Sequence, residues 1–224
     1  MAYIVCAEEV EGHWVAHVPD LPGCFATQKD RDSAIKAVPA AVDAYVAWCQ
    51  SHGLRISGLS GPMIVSEVIR AWDYEEDNEV NAFFASDRPP LLPEELSEWE
   101  RLLTIARVDL MASVENVDPE DMAKTFSGER WPIAGVLRHV ANAELWYLDR
   151  LGLALPQAEL PSDPKERLER VRRHLLSSLP ALSSRTGVVA LSGELWSARK
   201  VLRRALWHER DHTVHIHKLK AMLH

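Results

Sequence analysis

Trp207-His208-Glu209-Arg210-Asp211-His212-Thr213-Val214-His215 lies in a stretch with neither Pro nor Gly from Ser197 to His224. Such a stretch reads as one long helix with Ser197 as its N-cap. At about 100° per residue, His208, His212 and His215 fall within an arc of roughly 60°. Val201, Ala205 and Leu219 point the same way, so the imidazoles sit on the apolar stripe rather than the solvated face. Histidines turned toward a core need a reason, and a shared metal ion is a common one.

His208 and His212 are spaced i, i+4, which brings two imidazoles to one ion on an unbent helix. A third ligand must come from another element. His139, in Val136-Leu137-Arg138-His139-Val140 with Ala143 and Trp146 on its face, is the best candidate. A single inward histidine is ordinarily a satisfied core residue; the pair plus a third inward histidine is what favours a divalent metal. His215 is a candidate fourth ligand or outer-sphere group. Glu144, Glu209 and Asp211 are expected to orient imidazoles or to meet solvent. Three imidazoles without thiolate suit Zn, Ni, Fe or Co, and spacing does not choose among them. Three protein ligands leave a coordination position open, the catalytic rather than the structural pattern.

Working outward, three more helical patterns precede this one. Leu92-Pro93-Glu94-Glu95 opens a helix to about Val117. A second follows Pro132, placed at its first position, and runs to about Leu151. Asp163-Pro164-Lys165-Glu166 reads as a capping box opening a third, which Pro180 disturbs. Four amphipathic helices predict a four-helix bundle over residues 91–224. Trp131 and Trp196 stand at the same offset before Val136-Leu137-Arg138 and Val201-Leu202-Arg203, a short internal repeat that pairs the second helix with the fourth. Trp131, Trp146, Trp196 and Trp207 are expected to pack that bundle.

The N-terminal part alternates instead. Strands are expected over Tyr3–Ala7, His13–Val18, Cys24–Thr27 and Met63–Ile69, with a turn at Glu11-Gly12 and a helix from Asp30 to about His52, stopped by Gly53. The order β-β-β-α-β is a small sheet with one helix on it, and the fold class is α+β: a sheet domain over residues 1–72, an acidic linker over 73–90 that docks through Phe83 and Phe84, and the helical domain. His13 and His17 share a strand face and read as exposed. His52 suits a helix C-terminus, His174 and His217 the surface, and His224 the chain end.

The net charge of −8 is uneven: residues 1–90 carry 6 Lys+Arg against 14 Asp+Glu, and residues 91–224 carry 19 of each. An acidic surface disfavours nucleic acid, and basic runs such as Arg203-Arg204 read as solvated helix faces. No apolar run is long enough to span a membrane, and no secretion signal opens the chain. Cys6, Cys24 and Cys49 read as reduced cytosolic thiols, so a cytoplasmic location is expected. Phosphate loops, dinucleotide fingerprints and nucleophile elbows are absent.

At these residues the chain resembles two families. Trp131-Pro132 through His139, Ala143-Glu144-Leu145-Trp146-Tyr147-Leu148 and Leu206-Trp207-His208 through His212 resemble the DinB-like superfamily of metal-binding four-helix bundles. The resemblance implies a divalent-metal triad of His139, His208 and His212. It also implies either a thiol-dependent transferase using a low-molecular-weight thiol cosubstrate, or a hydrolase, acting on a small electrophilic molecule. Tyr3-Ile4-Val5, Trp14-Val15-Ala16 and Pro19-Asp20-Leu21-Pro22-Gly23-Cys24, with Ala34 and Ala41, resemble a HicB-like antitoxin domain. That likeness implies a module that sequesters a basic protein partner or drives homo-oligomerisation, most simply dimerisation. The nucleic-acid-binding segment that often follows in that family is replaced here by the helical domain. Enzyme and non-catalytic binding module therefore both stand as expectations, and no catalytic residue beyond the metal ligands is assigned.

Overall fold

In a computed structural model, residues 2–59, 61–73 and 79–223 are described. Residues 74–78 of the expected acidic linker and the terminal His224 lie outside them. The chain divides into one unit of residues 1–89 with 190–195 and a second of 90–189 with 196–224.

In the first unit β1 (Tyr3–Val10), β2 (His13–His17), β3 (Phe25–Gln28) and β4 (Met63–Ile69) form one sheet in the order β3-β2-β1-β4. Glu11 and Gly12 both take positive φ, 48° and 74°, the two-residue hairpin geometry whose twist matches the strands it joins. The β1–β2 and β2–β3 pairs are antiparallel, whereas β1 and β4 are parallel. That parallel pair needs a crossover, which α1 (Arg31–Ser51) supplies. Asp30 caps α1 by accepting the Ser33 N–H at 2.9 Å. Gly53, at φ 76°, ends it by donating its N–H to the Gln50 carbonyl. Ala34, Val38, Val42, Tyr45 and Cys49 form its buried stripe, and the Tyr45 hydroxyl donates to the Pro22 carbonyl at 2.6 Å.

The opposite sheet face carries Cys6, which packs with Ala82 and Phe84. Between them run two short strands, β5 (Trp72–Asp73) and β6 (Glu79–Val80), paired with each other. Phe84 is buried, while Phe83 lies under the Arg88 guanidinium. One sequence expectation is corrected here. His13 is exposed, but His17 is buried and its Nε2 lies 2.8 Å from Oε1 of the buried Glu8. The ring is satisfied by a carboxylate on the neighbouring strand, a pairing that strand periodicity alone cannot show.

In the second unit a 3-10 turn at Pro93–Glu95 leads into α2 (Leu96–Ser113). This helix ends four residues before the expected Val117, and a short α3 (Pro119–Ala123) follows where a loop was read. The next helix, α4, spans Ile133–Asp149 with Pro132 as its N-cap residue, one position earlier than expected. Asp163 caps α5 (Pro164–Ser177) by accepting from the N–H groups of Lys165 and Glu166. Pro180 sits in the first turn of a separate α6 (Leu179–Ser183). An unforeseen hairpin, whose residues 190–195 group with the first unit, joins β7 (Val189–Leu191) to β8 (Glu194–Trp196) through Ser192 and Gly193, both at positive φ. Ser197 caps α7 (Ala198–Ala221), its side chain accepting the Lys200 N–H at 3.1 Å.

Helix α4 packs on α5 and α7, and α2 packs on α7. Leu110 of α2, Val136, Leu137 and Val140 of α4, Leu168 and Val171 of α5, and Ile216 and Leu219 of α7 are all in one buried cluster. The repeat noted in the sequence is legible in this packing. Val136 and Leu137 on α4 and Val201 and Leu202 on α7 are all fully buried. Arg138 is exposed, however, whereas Arg203 is buried.

Candidate metal centre

His139 enters from α4 and His208 and His212 from one face of α7. Nε2 of His208 lies 3.0 Å from Nε2 of His139 and 3.1 Å from Nε2 of His212. One ligand atom from each of the three lies within 4.8 Å of the others. Ligands at about 2.0–2.1 Å from a tetrahedral zinc stand roughly 3.3 Å apart, so three convergent nitrogens fit a first coordination sphere. His208 is buried and His139 half-buried. Burial first, then the neighbouring imidazoles of His212 and His139 and the Arg204 guanidinium, hold His208 well below its usual pKa. Burial and the imidazoles of His139 and His215 bring His212 to about 3. Both rings are therefore neutral near pH 7 and offer lone pairs, the form a metal requires.

The same shifts set a linkage. The folded state refuses protons that the unfolded chain takes up below about pH 6.5, so depressed values give stability present above that pH and lost as pH falls. With metal chelated, the melting temperature of the wild type should drop more between pH 7 and 5 than that of a His208→Gln/His212→Gln variant. Parallel pH profiles would contradict the assignment of neutral, buried rings.

The rim of the site is aromatic. Trp131 stacks on the His139 ring at 4.3 Å between centroids and 24° between planes, and the Arg130 guanidinium lies 4.5 Å from the centroid of the same indole. Tyr147 meets His208 edge-on at 6.1 Å. Gly135 makes the stacking possible, because a Cβ there would stand 2.9 Å from Cβ of Trp131. Ala normally exceeds Gly in a helix by about 1 kcal/mol. Here Gly135→Ala should instead lower stability by about 1 kcal/mol and shift the tryptophan emission; a raised melting temperature would show that Trp131 is not held against the helix.

Other sequence candidates resolve differently. His215 lies outside the three-histidine cluster: its Nε2 is 2.8 Å from Oε2 of Glu129, whose other oxygen accepts from Lys218 at 2.5 Å. Those partners, Lys218 first and then His215, hold the Glu129 carboxyl below its usual range. His174, read as a surface residue, is part-buried, its Nε2 2.6 Å from the Leu153 carbonyl.

Glu144 and Glu209 neither orient imidazoles nor meet solvent. Both are buried and pair with two buried arginines. Arg107 reaches Oε2 of Glu144 at 3.1 Å and also donates through Nε to Glu209. Arg172 donates to Glu144 at 3.0 and 2.7 Å and to Glu209. The guanidinia also cap the carbonyls of Leu168 and Leu103. One residue thus comes from each of α2, α4, α5 and α7. Burial alone would raise the Glu144 pKa, but Arg172 and Arg107 beside it outweigh that and hold the carboxyl ionised. Sequence reasoning missed this network. Its signal was a charged residue at a position that helical spacing places among apolar ones, on four helices at once.

Three imidazoles converging in a helical unit could hold a metal ion. The DinB superfamily model matches residues 102–216, and the chain belongs to that superfamily. It is 26% identical over 146 residues to the "Putative metal-dependent hydrolase OB0413" of Oceanobacillus iheyensis, a match covering 55% of this chain and 84% of that one. It is also 30% identical over 53 residues to the "UPF0150 protein Ta0767" of Thermoplasma acidophilum, covering 24% of this chain and 77% of that one. No solved structure matches. No helix among the described residues is long and apolar enough to cross a membrane, and Cys6, Cys24 and Cys49 are buried and not disulfide-bonded.

Proposed function

We propose that residues 91–224 form a four-helix bundle that holds a divalent ion on His139, His208 and His212 and hydrolyses a small electrophilic substrate. The observation that carries this reading is the convergence of three Nε2 atoms from two helices on one point. The hydrolase name of the Oceanobacillus relative supports the reaction class. A bound divalent ion supplies Lewis acidity and lowers the pKa of a water, or of a thiol cosubstrate, at the position that three protein ligands leave open.

The chain's own residues do the rest. Burial keeps His208 and His212 neutral, so their lone pairs are available at pH 7. Trp131 and Tyr147 wall the site with apolar rings, which fix His139 and His208 and keep bulk water off their faces. The Arg107/Glu144/Arg172/Glu209 network ties α4 to α7, with Glu209 next to His208 and Glu144 five residues beyond His139, and sets how those helices meet. In this reading residues 1–72 form a HicB-like module joined through 73–90, and its acidic face would receive a basic protein partner.

The test is hydrolysis of a panel of activated esters and amides by metal-reconstituted protein, with and without a low-molecular-weight thiol. Activity should be lost on chelation and in His212→Ala. Turnover that persists in the chelated protein would contradict the reading.

A further inference from the structure

The outer edge of the N-terminal sheet is built to pair with itself. Strand β4 is the edge of the order β3-β2-β1-β4, and it is apolar on both faces: Ile64 is 50% exposed, Val65 39% and Val68 44%, with Ile4 beside them at 44%. Edge strands that must stay single are ordinarily guarded by lysine, proline or an inward charge. From Met63 to Ile69 there is no lysine or proline. The single charge, Glu67, is turned back, accepting the Ala85 N–H at 3.0 and 3.2 Å.

The sequence of this edge is a near-palindrome, Ile64-Val65-Ser66-Glu67-Val68-Ile69. Run antiparallel against a second copy, it sets Ile64 against Ile69, Val65 against Val68 and Ser66 against Glu67. In a regular strand this register would fail, because residues an odd number apart point to opposite faces. A bulge removes the conflict. The register with β1 pairs Val5 with Val65 and Cys6 with Glu67, then Ala7 with Val68, skipping Ser66. Cys6 Sγ accordingly contacts both Ser66 Oγ, at 3.3 Å, and Glu67 Oε1, at 3.7 Å. Val65 and Val68 therefore share the face of Val5 and Ala7, while Ile64 and Ile69 share the face of Ile4 and Glu8. Each aliphatic residue meets an aliphatic one on its own side. Of the two neighbouring registers, one puts Glu67 against Glu67, which is unfavourable, and the other sets Val65 against Glu67, which the bulge leaves on opposite faces.

We propose that β4 is the interface of a symmetric dimer, in which two copies of this chain join their sheets edge to edge through antiparallel β4 strands. Self-complementarity of this kind is what a two-fold interface demands, since one patch must serve both partners. It singles out a second copy over an unrelated peptide.

Sedimentation equilibrium on the full chain tests this, with Val68→Lys as the first variant. Val68 is exposed, and a lysine there should leave the circular dichroism unchanged while weakening dimerisation at least 100-fold. A second measurement keeps the aliphatic strand nearly intact. Val65→Cys and Val68→Cys chains, oxidised together, should form a disulfide-linked pair faster than either does alone. The inference is overturned by a wild type that stays monomeric at 100 µM, by a dimer indifferent to Val68→Lys, or by cysteine chains that cross-link no faster when mixed.

Discussion

Glu209→Ala should lower the stability of the protein by about 3–5 kcal/mol, the cost of leaving buried charges unpaired. Glu209 is fully buried and receives bonds from both Arg107 and Arg172. Its removal leaves two guanidinia sharing Glu144 alone, with one positive charge uncompensated in the interior. Glu209→Gln keeps the shape and should recover only part of the loss, because an amide presents one acceptor where two are used. Replacing all four members by Leu or Met of similar volume should cost far less than Glu209→Ala, since no charge then remains to desolvate. Chemical denaturation of the three variants checks this. A loss below about 1 kcal/mol for Glu209→Ala, the size expected of an exposed ion pair, would mean that water reaches the network.

The second large effect concerns the metal. In His208→Ala, bound metal should fall from about one equivalent to none at micromolar protein, a loss of well over 100-fold in affinity. His208 is the middle nitrogen of the three, 3.0 Å from His139 and 3.1 Å from His212, so its removal leaves the remaining two without their bridge. The apo form of the variant should be no less stable than the wild-type apo form in acid, because a buried imidazole that resists protonation has been removed. Stability and metal content thus move in different directions, which distinguishes loss of a ligand from loss of the fold. Wild-type metal content in a variant with an intact helical spectrum would remove His208 from the site.

Much of this was legible in the chain itself. The i, i+4 histidine pair, the Ser197 and Asp163 caps, the Glu11-Gly12 turn and the strand at Met63–Ile69 all follow from local rules, because each depends on neighbours within a few residues. His139 was found because its helical face could be read. Partners far apart in sequence were not legible. Glu144 looked like an outer-sphere group because Arg107 and Arg172 lie 37 and 28 residues away. His17 looked exposed because Glu8 is on another strand, and the contact of His215 with Glu129 could not be read because Glu129 precedes it by 86 residues. The hairpin at Ser192-Gly193 carried a local signal, a Ser-Gly pair between apolar runs, that was passed over in favour of helical periodicity on either side.

The measurement that tests the central claim most directly is the metal content of untagged protein purified without added metal, read by mass spectrometry beside a His139→Ala/His208→Ala/His212→Ala variant. The account predicts about one equivalent of a divalent transition metal in the wild type, or after its reconstitution, and none in the variant. Equal metal in both, or none in a reconstituted wild type, would contradict it.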